Sequence, residues 1–121
     1  MKLMLIDTSS IVFAFSNKID IFGIVEERLD SKPVITKGVI RELRKLSSRK
    51  SKEGKAAKLA LAVLEKHKVE TLDDNGPVDD FIVREASEKG LGACTNDIIL
   101  KGRLRSRGIR ALSASRSGVL R

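Results

Sequence analysis

Short apolar runs alternate with longer amphipathic stretches along this chain. A short, mainly apolar run is typical of a strand that is buried on both faces of a parallel sheet. The first run is the clearest, because residues 3–6 are all apolar. The predicted strands are KLMLI (2–6), KPVIT (32–36), VETL (69–72), LGACT (91–95) and IRALSA (109–114).

The stretches between these strands have the apolar spacing of amphipathic helices. Ser9 or Ser10 is predicted to cap the first helix and Asp20 the second, and Gly90 is predicted to stop the fifth. Because strands and helices alternate, we predict an α/β fold with a central parallel sheet of four to five strands. The predicted helices are SSIVFAFSN (9–17), DIFGIVEERL (20–29), GVIRELRKL (38–46), AAKLALAVLEKHK (56–68), VDDFIVREASEKG (78–90) and DIILKGRLRSRG (97–108).

The fourth predicted helix is clearly amphipathic, and its apolar side is predicted to carry Leu59, Ala62 and Val63. The third has a similar apolar side, with Glu42 beside it. Between these two helices, SSRKSKEGK (47–55) is polar and basic, which predicts a surface loop.

The composition is that of one globular domain spanning residues 1–121. Apolar residues make up 41% of the chain and charged residues 33%, as in soluble proteins. No apolar run approaches the roughly 20 residues that cross a bilayer, and MKLMLID is too short for a signal peptide. Cys94 is the only cysteine, so an internal disulfide is excluded and a buried position is expected. We therefore expect a cytoplasmic protein without a membrane segment.

The net charge of +8 is unevenly distributed. Residues 41–58 hold eight Lys or Arg and two acids, and residues 98–121 hold seven Lys or Arg and no acid. Residues 59–97, between them, hold nine acids and four Lys or Arg. Single lysines also suit a solvated helix face, but this segregation favours a polyanionic partner such as nucleic acid. With four Phe and no Trp or Tyr, contacts to backbone phosphates are expected to outweigh base stacking.

Several acidic residues lie at the strand–helix connections, and each has a structural explanation when taken alone. Asp7 and Asp97 suit helix caps. Asp79 and Asp80 suit the first turn of a helix, where the macrodipole favours negative charge. Glu42 suits an ion pair with a neighbouring Arg on the same helix.

Taken together, these acids predict a metal site. Parallel strands end at the same edge of a sheet, so Asp7 and Asp97 are expected to meet there. Carboxylates gathered in one place repel one another unless a cation neutralises them. Mg²⁺ and Mn²⁺ prefer carboxylate oxygen and water as ligands, and such ions clamp the reacting oxygens in phosphodiester hydrolysis.

The residues that other chemistries need are missing from the sequence. His67 is the only histidine and lies on a lysine-rich helix, so a surface position is expected for it. A zinc site would need further His or Cys ligands, and a Ser-His pair would depend on His67 alone. Neither GxxxxGK[ST] nor GxGxxG occurs, so a nucleotide-binding loop is not indicated.

Over nearly its whole length, the sequence resembles PIN domains, which are small metal-dependent ribonuclease modules. The pieces that carry this resemblance are, in order, LIDTSS, GVIRELRKL, VDDFIVREA and ACTNDIILKGRLRSRGI. Their later part resembles the archaeal and eukaryotic branch related to endonucleases that process ribosomal RNA. The toxin ribonucleases of toxin–antitoxin pairs form the competing branch.

The resemblance implies roles for individual residues. Catalytic roles are implied for Asp7, Glu42, Asp79 and Asp97, and Mg²⁺ or Mn²⁺ ligation for Asp7, Asp79, Asp80 and Asp97. Ser9 and Thr95 match small polar residues that support the metal site. Ile99 stands where many relatives have a further acid, which weakens a second metal site. The expected RNA-binding residues are Arg44, Lys45, Arg49, Lys50, Lys52, Lys101, Arg103, Arg105 and Arg107.

The resemblance also implies a three-layer α/β/α sandwich, dimerisation, and RNA hydrolysis by metal-activated water that leaves a 5′-phosphate and a 3′-hydroxyl. We expect a metal-dependent endoribonuclease acting in RNA processing, ribosomal RNA included. Two alternatives stay open at this point. One is a toxin ribonuclease restrained by an antitoxin, and the other is a non-catalytic RNA-binding module on the same fold.

Overall fold

The computed structural model describes residues 2–121, which form five strands and six helices. All five strands are parallel and belong to one sheet, in the order β3-β2-β1-β4-β5. The strands are β1 (Lys2–Ile6), β2 (Ser31–Thr36), β3 (Glu70–Leu72), β4 (Gly92–Cys94) and β5 (Ala111–Leu112). The helices are α1 (Thr8–Ser16), α2 (Ile21–Arg28), α3 (Lys37–Ser47), α4 (Lys52–His67), α5 (Val78–Lys89) and α6 (Ile98–Ser106). The predicted α/β fold with a parallel sheet is confirmed.

The sheet separates two hydrophobic clusters, which makes the molecule a three-layer α/β/α sandwich. Along β1, Met4 and Ile6 belong to one cluster and Leu5 to the other, since successive strand residues point to opposite faces. Helices α1 to α4 close the first cluster, and α5 and α6 close the second. Both faces of the central strand are therefore buried, as its continuous apolar run predicts.

The strand order changes direction between β1 and β4, and this decides where the polar residues meet. From β1 the chain moves outward through β2 to β3, and then returns to the other side of β1 as β4 and β5. Asp7 follows β1 directly, and its amide donates to the Cys94 carbonyl of β4 at 2.9 Å. Residues 95–97 follow β4 at the same edge. In open α/β sheets, ligands bind where the strand order switches in this way.

The fourth helix begins earlier than predicted. Ser51 is the N-cap of α4, because its hydroxyl accepts a hydrogen bond from the Gly54 amide at 3.1 Å. The first residue of α4 is therefore Lys52. The predicted loop 47–55 is therefore wrong for most of its length, and only residues 48–51 separate α3 from α4. Of the basic residues of this segment, Arg49 and Lys50 lie in the short turn, and Lys52 and Lys55 lie in the first turn of α4.

The buried side of α4 also differs from its prediction. Leu59 is 47% exposed, Ala62 is exposed and Val63 is only half-buried. The side that packs against α1 and α3 consists mainly of small residues, because small side chains let neighbouring helices approach closely. Its buried residues are Gly54, Ala56, Ala57, Ala60 and Leu64.

Of the predicted helix caps, Asp20 is confirmed, since its carboxylate accepts hydrogen bonds from two amides in the first turn of α2. The prediction of Ser9 or Ser10 as the cap of α1 was wrong, because Asp7 occupies the N-cap position. The Ser9 hydroxyl donates instead to the Asp7 carboxylate, and the Ser10 hydroxyl donates to the Asn96 side chain.

Cys94 and His67 match their predicted positions. Cys94 is fully buried, and burial raises the pKa of its thiol to about 12, so it is an inert core residue. His67 lies at the surface, with Nε2 3.3 Å from Oδ2 of Asp20.

No single helix in residues 2–121 has both the length and the apolar character needed to cross a membrane. Only α1 and α2 taken together reach that length and composition, and they are bent by 102° at their junction. Both helices contribute buried residues to the first hydrophobic cluster.

Candidate active site

Four acidic residues from four different elements line one open cleft of about 430 Å³ at the C-terminal edge of the sheet. Asp7 follows β1, Glu42 lies on α3, Asp79 lies in the first turn of α5, and Asp97 is the N-cap of α6. The remaining lining residues are Thr8, Ser9, Val12 and Leu46. The structure thus brings together the four acids for which the resemblance implies catalysis.

Asp7 is the most buried of these acids, at 6% exposure, and two hydroxyls orient its carboxylate. Oδ2 of Asp7 accepts hydrogen bonds from the Ser9 hydroxyl at 2.7 Å and from the Thr95 hydroxyl at 2.9 Å. Although Asp7 occupies the N-cap position of α1, its side chain makes no capping hydrogen bond. The carboxylate is therefore held for the cleft rather than for the helix.

The same two hydroxyls connect Asp7 to Asp97. The Asn96 amide donates to the Ser9 hydroxyl at 2.9 Å, and the Asp97 amide donates to the Thr95 hydroxyl at 3.1 Å. Each hydroxyl has one proton, and both protons go to Asp7, so the 3.1 Å contact between the two hydroxyl oxygens is proximity alone. Ser9 and Thr95 thereby join the ends of β1 and β4 around the acidic cleft.

Asp97 caps a helix and also lines the cleft. Its Oδ1 accepts hydrogen bonds from the Ile99 amide at 2.8 Å and the Leu100 amide at 3.0 Å, which caps α6. These contacts use one carboxylate oxygen, and the residue still lines the cleft. Capping fixes the carboxylate at a defined height above the sheet edge.

Glu42 is held by α1 rather than by a neighbouring arginine. The Thr8 hydroxyl donates a short hydrogen bond to Oε1 of Glu42. Arg41 points instead toward Asp74, at 3.8 Å. The buried Asp74 carboxylate also accepts a hydrogen bond from the Gly38 amide at 2.9 Å. This bond attaches the loop that leads to α5 to the start of the helix that carries Glu42.

The pKa of the Asp79 carboxyl shows the effect of the other acids in the cleft. Burial raises the pKa of its carboxyl above the usual value, and three neighbouring carboxylates raise it further. In order of decreasing effect, these neighbours are Asp7, Asp97 and Glu42, and Arg103 partly offsets them. The four acids are therefore close enough to repel one another. Within residues 2–121, however, no three acidic, His or Cys side chains are drawn together into a preformed metal-ligand set.

Asp80 lies outside the cleft, although the resemblance implies a role as a metal ligand. Its Oδ1 accepts a hydrogen bond from the Arg103 guanidinium at 2.9 Å, and the pair is largely exposed. This geometry gives no support to metal ligation by Asp80. Asp80 instead binds Arg103, whose charge acts on Asp79.

The basic residues expected to bind RNA lie in two regions, one on and just after α6 and the other around the turn between α3 and α4. Lys101 donates to the Ser113 hydroxyl and the Arg121 carbonyl, and Arg105 donates to the Ala111 carbonyl, so both are engaged within the protein. Arg107 lines a separate cavity of about 390 Å³ that is formed partly by the start of β1, at the opposite edge of the sheet. The exposed group, on the C-terminal half of α3, the turn after it and the start of α4, is Arg44, Lys45, Arg49, Lys50 and Lys52.

The sequence analysis missed two residues that complete this region, Thr8 and Asn96. Thr8 directly follows Asp7 in LIDTSS, and a hydroxyl at that place could have been suspected of holding an acid. Asn96 lies between Thr95 and Asp97, and its side chain binds the backbone of Ala114. No sequence signal connected this asparagine to residue 114, because only the parallel arrangement of β4 and β5 brings them together.

The sequence matches the protein family described as "PIN like domain" over residues 4–116. It is 36% identical to ribonuclease VapC9 of Archaeoglobus fulgidus over 105 residues, which are 86% of this chain and 76% of that protein. Its fold is similar to the PIN domain endonuclease Utp24, with a TM-score of 0.75 and 31% identity over 93% of this chain and 85% of that one. It is also similar in fold to a chain of the DNA-bound VapBC structure from Salmonella typhimurium. The TM-score there is 0.63, at 23% identity over 93% of this chain and 98% of that one.

Proposed function

This chain belongs to the PIN-domain family, and we propose that it is a metal-dependent endoribonuclease that hydrolyses RNA phosphodiester bonds. The observation that carries the proposal is the convergence of four carboxylates on one cleft, where three of them raise the pKa of the fourth. Similar proteins are named as a ribonuclease and as an endonuclease, which supports nuclease chemistry at this cleft.

The donors of the cleft fit Mg²⁺ or Mn²⁺. Carboxylate and hydroxyl oxygens are hard ligands, and the pKa of Asp79 is raised by burial and by neighbouring negative charge that a divalent cation would neutralise. We assign the ligands to Asp7, Asp79 and Asp97, and leave out Asp80 because of its ion pair with Arg103. A bound ion would lower the pKa of the attacking water and neutralise charge on the phosphate.

The chain itself supplies orientation and charge. Ser9 and Thr95 hold the Asp7 carboxylate through two hydrogen bonds. Thr8 holds Glu42 at the other side of the cleft, where its second carboxylate oxygen can accept a proton from water. The exposed cations at the start of α4 and on α3 would bind the phosphates that flank the cut.

The proposal is tested by a cleavage assay on structured and unstructured RNA with Mg²⁺, Mn²⁺ or EDTA. Asp97→Asn should lower the rate by about 100-fold or more, since even outer-shell partners of metal ligands contribute 10- to 100-fold. The fold should survive this change because asparagine also caps helices. Asp73→Asn, an exposed acid paired with Lys37 away from the cleft, is the matched control.

Asp80→Asn tests the ligand assignment separately. With Asp80 outside the metal site, this variant should keep most of the wild-type rate. A loss as large as that of Asp97→Asn would return Asp80 to the ligand set. Cleavage that persists in EDTA, or in Asp97→Asn, would overturn the proposed chemistry as a whole.

We propose RNA processing, ribosomal RNA included, as the setting of this activity, because the later sequence motifs resemble that branch of the family. The similarity in fold to the endonuclease Utp24 supports nuclease activity in this setting. A second candidate is a toxin ribonuclease, favoured by the similarity to VapC9. It has structural support in Ile98 and Ile99, which are 86% and 77% exposed beside Asp97 and would suit an apolar antitoxin peptide across the cleft. Growth arrest on expression would favour the toxin, and accumulation of uncut ribosomal RNA precursors in a deletion strain would favour processing.

A further inference from the structure

A second depression opens directly beside the acidic cleft and shares Ser9 and Val12 with it. We call it the side groove; it has a volume of about 320 Å³, and its walls include Phe13, Asn17, Lys52 and Arg116. Because Ser9 and Val12 line both depressions, the two are immediate neighbours on the surface. The side groove contains none of the four acids of the cleft.

The two cations of the side groove are available to a ligand. Lys52 and Arg116 are both exposed, and neither forms an ion pair within residues 2–121. They differ in this from Arg103, which binds Asp80. The only acid in the groove is Glu53, so its walls carry a net positive charge. Unpaired cations beside an acidic cleft suit a polyanion that continues beyond the cut.

Arg116 is held in place by a closed backbone hook formed by residues 113–121. Ser113 and Arg121 exchange both backbone hydrogen bonds, and Ala114 pairs with Leu120 in an antiparallel bridge. Gly118, with φ of 87°, makes the turn at the tip. An exposed arginine on a closed hook loses less freedom on binding than one on an open tail.

Asn96 ties this hook to the catalytic edge. Its side chain accepts from the Ala114 amide at 2.9 Å and donates to the Ala114 carbonyl at 2.9 Å. Its own amide donates to Ser9, and its neighbours in the chain are Thr95 and Asp97. The backbone of the hook that carries Arg116 is therefore anchored beside the acids.

Phe13 gives the side groove an apolar part. Phe13 is half-buried, so part of its ring remains accessible. Its carbonyl accepts a hydrogen bond from Nδ2 of Asn17 at 2.8 Å, which fixes the end of α1. An accessible aromatic ring in the same groove as two cations is a combination that binds a base and its neighbouring phosphates.

We propose that the side groove is a nucleotide subsite, which binds the single-stranded RNA nucleotide next to the scissile phosphate. Lys52 and Arg116 bind its phosphates, and Phe13 contacts its base. This inference rests on the proposed ribonuclease function, because it assigns a place to the same substrate.

The experiment measures the affinity of a short fluorescent single-stranded RNA at several salt concentrations, with Asp97→Asn as the background so that the probe is not cut. Lys52→Ala and Arg116→Ala should each lower the affinity for all RNA sequences. Each should also reduce the slope of log K against log[salt] by about 0.7, the value for one lost phosphate contact on a single strand. Phe13→Leu, which preserves packing volume, should weaken binding by about tenfold with an unchanged slope.

Arg28→Ala is the matched control, because it removes the same charge from the end of α2, just before β2 and at the opposite edge of the sheet. It should leave both affinity and slope unchanged. If Arg116→Ala and Arg28→Ala give the same slope while the wild type cleaves RNA, the subsite is wrong and the ribonuclease stands. If the wild type neither binds nor cleaves RNA, both proposals fall.

Discussion

Thr95 is a residue on which two parts of the cleft depend at once. Its hydroxyl donates to the Asp7 carboxylate and accepts from the Asp97 amide, and its side chain is fully buried. A hydroxyl can do both because it has one proton and two lone pairs. One oxygen atom thus bonds both to the carboxylate of one acid and to the backbone of another.

Thr95→Val keeps the shape of the side chain and removes this oxygen. We expect the cleavage rate to fall by about 10- to 100-fold, because Asp7 loses a hydrogen bond that orients it. The free energy of unfolding should fall by about 1 to 3 kcal/mol, because the Asp97 amide loses its partner. Thr71→Val, on the exposed edge strand β3, controls for the substitution itself. Equal activities of the two variants would show that the hydroxyl has no part in catalysis.

At this scale, the sequence identifies the acids but not their directions. Asp79 and Asp80 are adjacent in the chain, and consecutive helix residues point about 100° apart. Which of them faces the cleft depends on the residue at which α5 begins and on how the helix lies against the sheet. Asp79 lines the cleft and Asp80 reaches Arg103, and the pattern VDDFIVREA contains nothing that separates them.

At the level of the elements, the chain packs very closely at the turn between α3 and α4. A β-carbon on Gly54 would lie 2.0 Å from the Arg49 carbonyl oxygen, far inside contact distance. Glycine is required there by space and not by backbone conformation. The close approach holds the exposed cations of this turn against the helix that carries Glu42.

Gly54→Ala should therefore destabilise the protein by at least about 1 to 3 kcal/mol, the usual cost of forcing extra volume into a packed region. Gly102→Ala is the matched control, because Gly102 lies in α6 with open space around it. It should stabilise the protein by about 0.4 to 1 kcal/mol, since alanine restricts the unfolded chain and favours helix. Thermal unfolding of both variants measures the contrast, and shifts of the same sign would contradict it.

The same turn explains why the prediction of α4 was wrong. Its large apolar residue Leu59 suggested the buried side, but close helix packing selects small side chains, and Ala56, Ala57 and Ala60 are inside. The residues KEG at its start were predicted as part of a loop because the segment 47–55 is polar and basic. Contact distance between α3 and α4, which the sequence does not contain, outweighed both signals.

For the molecule as a whole, the order of the strands determines which charged residues lie close together. The alternating pattern predicts parallel strands with their acids at one edge, and this is confirmed by the sheet. It does not predict that β4 lies between β1 and β5, which brings residue 96 to Ser9 on one side and to residue 114 on the other, and Arg116 to the groove. The basic segment 98–121 looked like one RNA-binding surface. In the fold it divides into structural contacts, a cavity at the opposite edge and the side groove.

The acidic cleft also has a consequence for the stability of the whole fold. The pKa of Asp79 is raised above 3.8 in the folded protein by burial and by its neighbours, so the folded state holds that proton more tightly than the unfolded state. Stability linked to this group is fully present below pH 3.8 and is lost as the pH rises through the folded-state pKa. At neutral pH the buried negative charge of Asp79 and its repulsion by the other acids therefore destabilise the fold, and a divalent cation would offset that penalty.

Asp79→Asn should accordingly be more stable than the wild type at neutral pH, and the difference should vanish as the pH falls to the usual aspartate range. Mg²⁺ or Mn²⁺ should reverse the order, because binding at 100 times Kd adds about 2.7 kcal/mol to a protein that keeps its ligands. Thermal unfolding with metal and with EDTA measures both effects, and Asp73→Asn should follow the wild type throughout. An ion that raised the melting temperatures of wild type and Asp79→Asn equally would be binding elsewhere, and the assignment of this carboxylate as a ligand would be wrong.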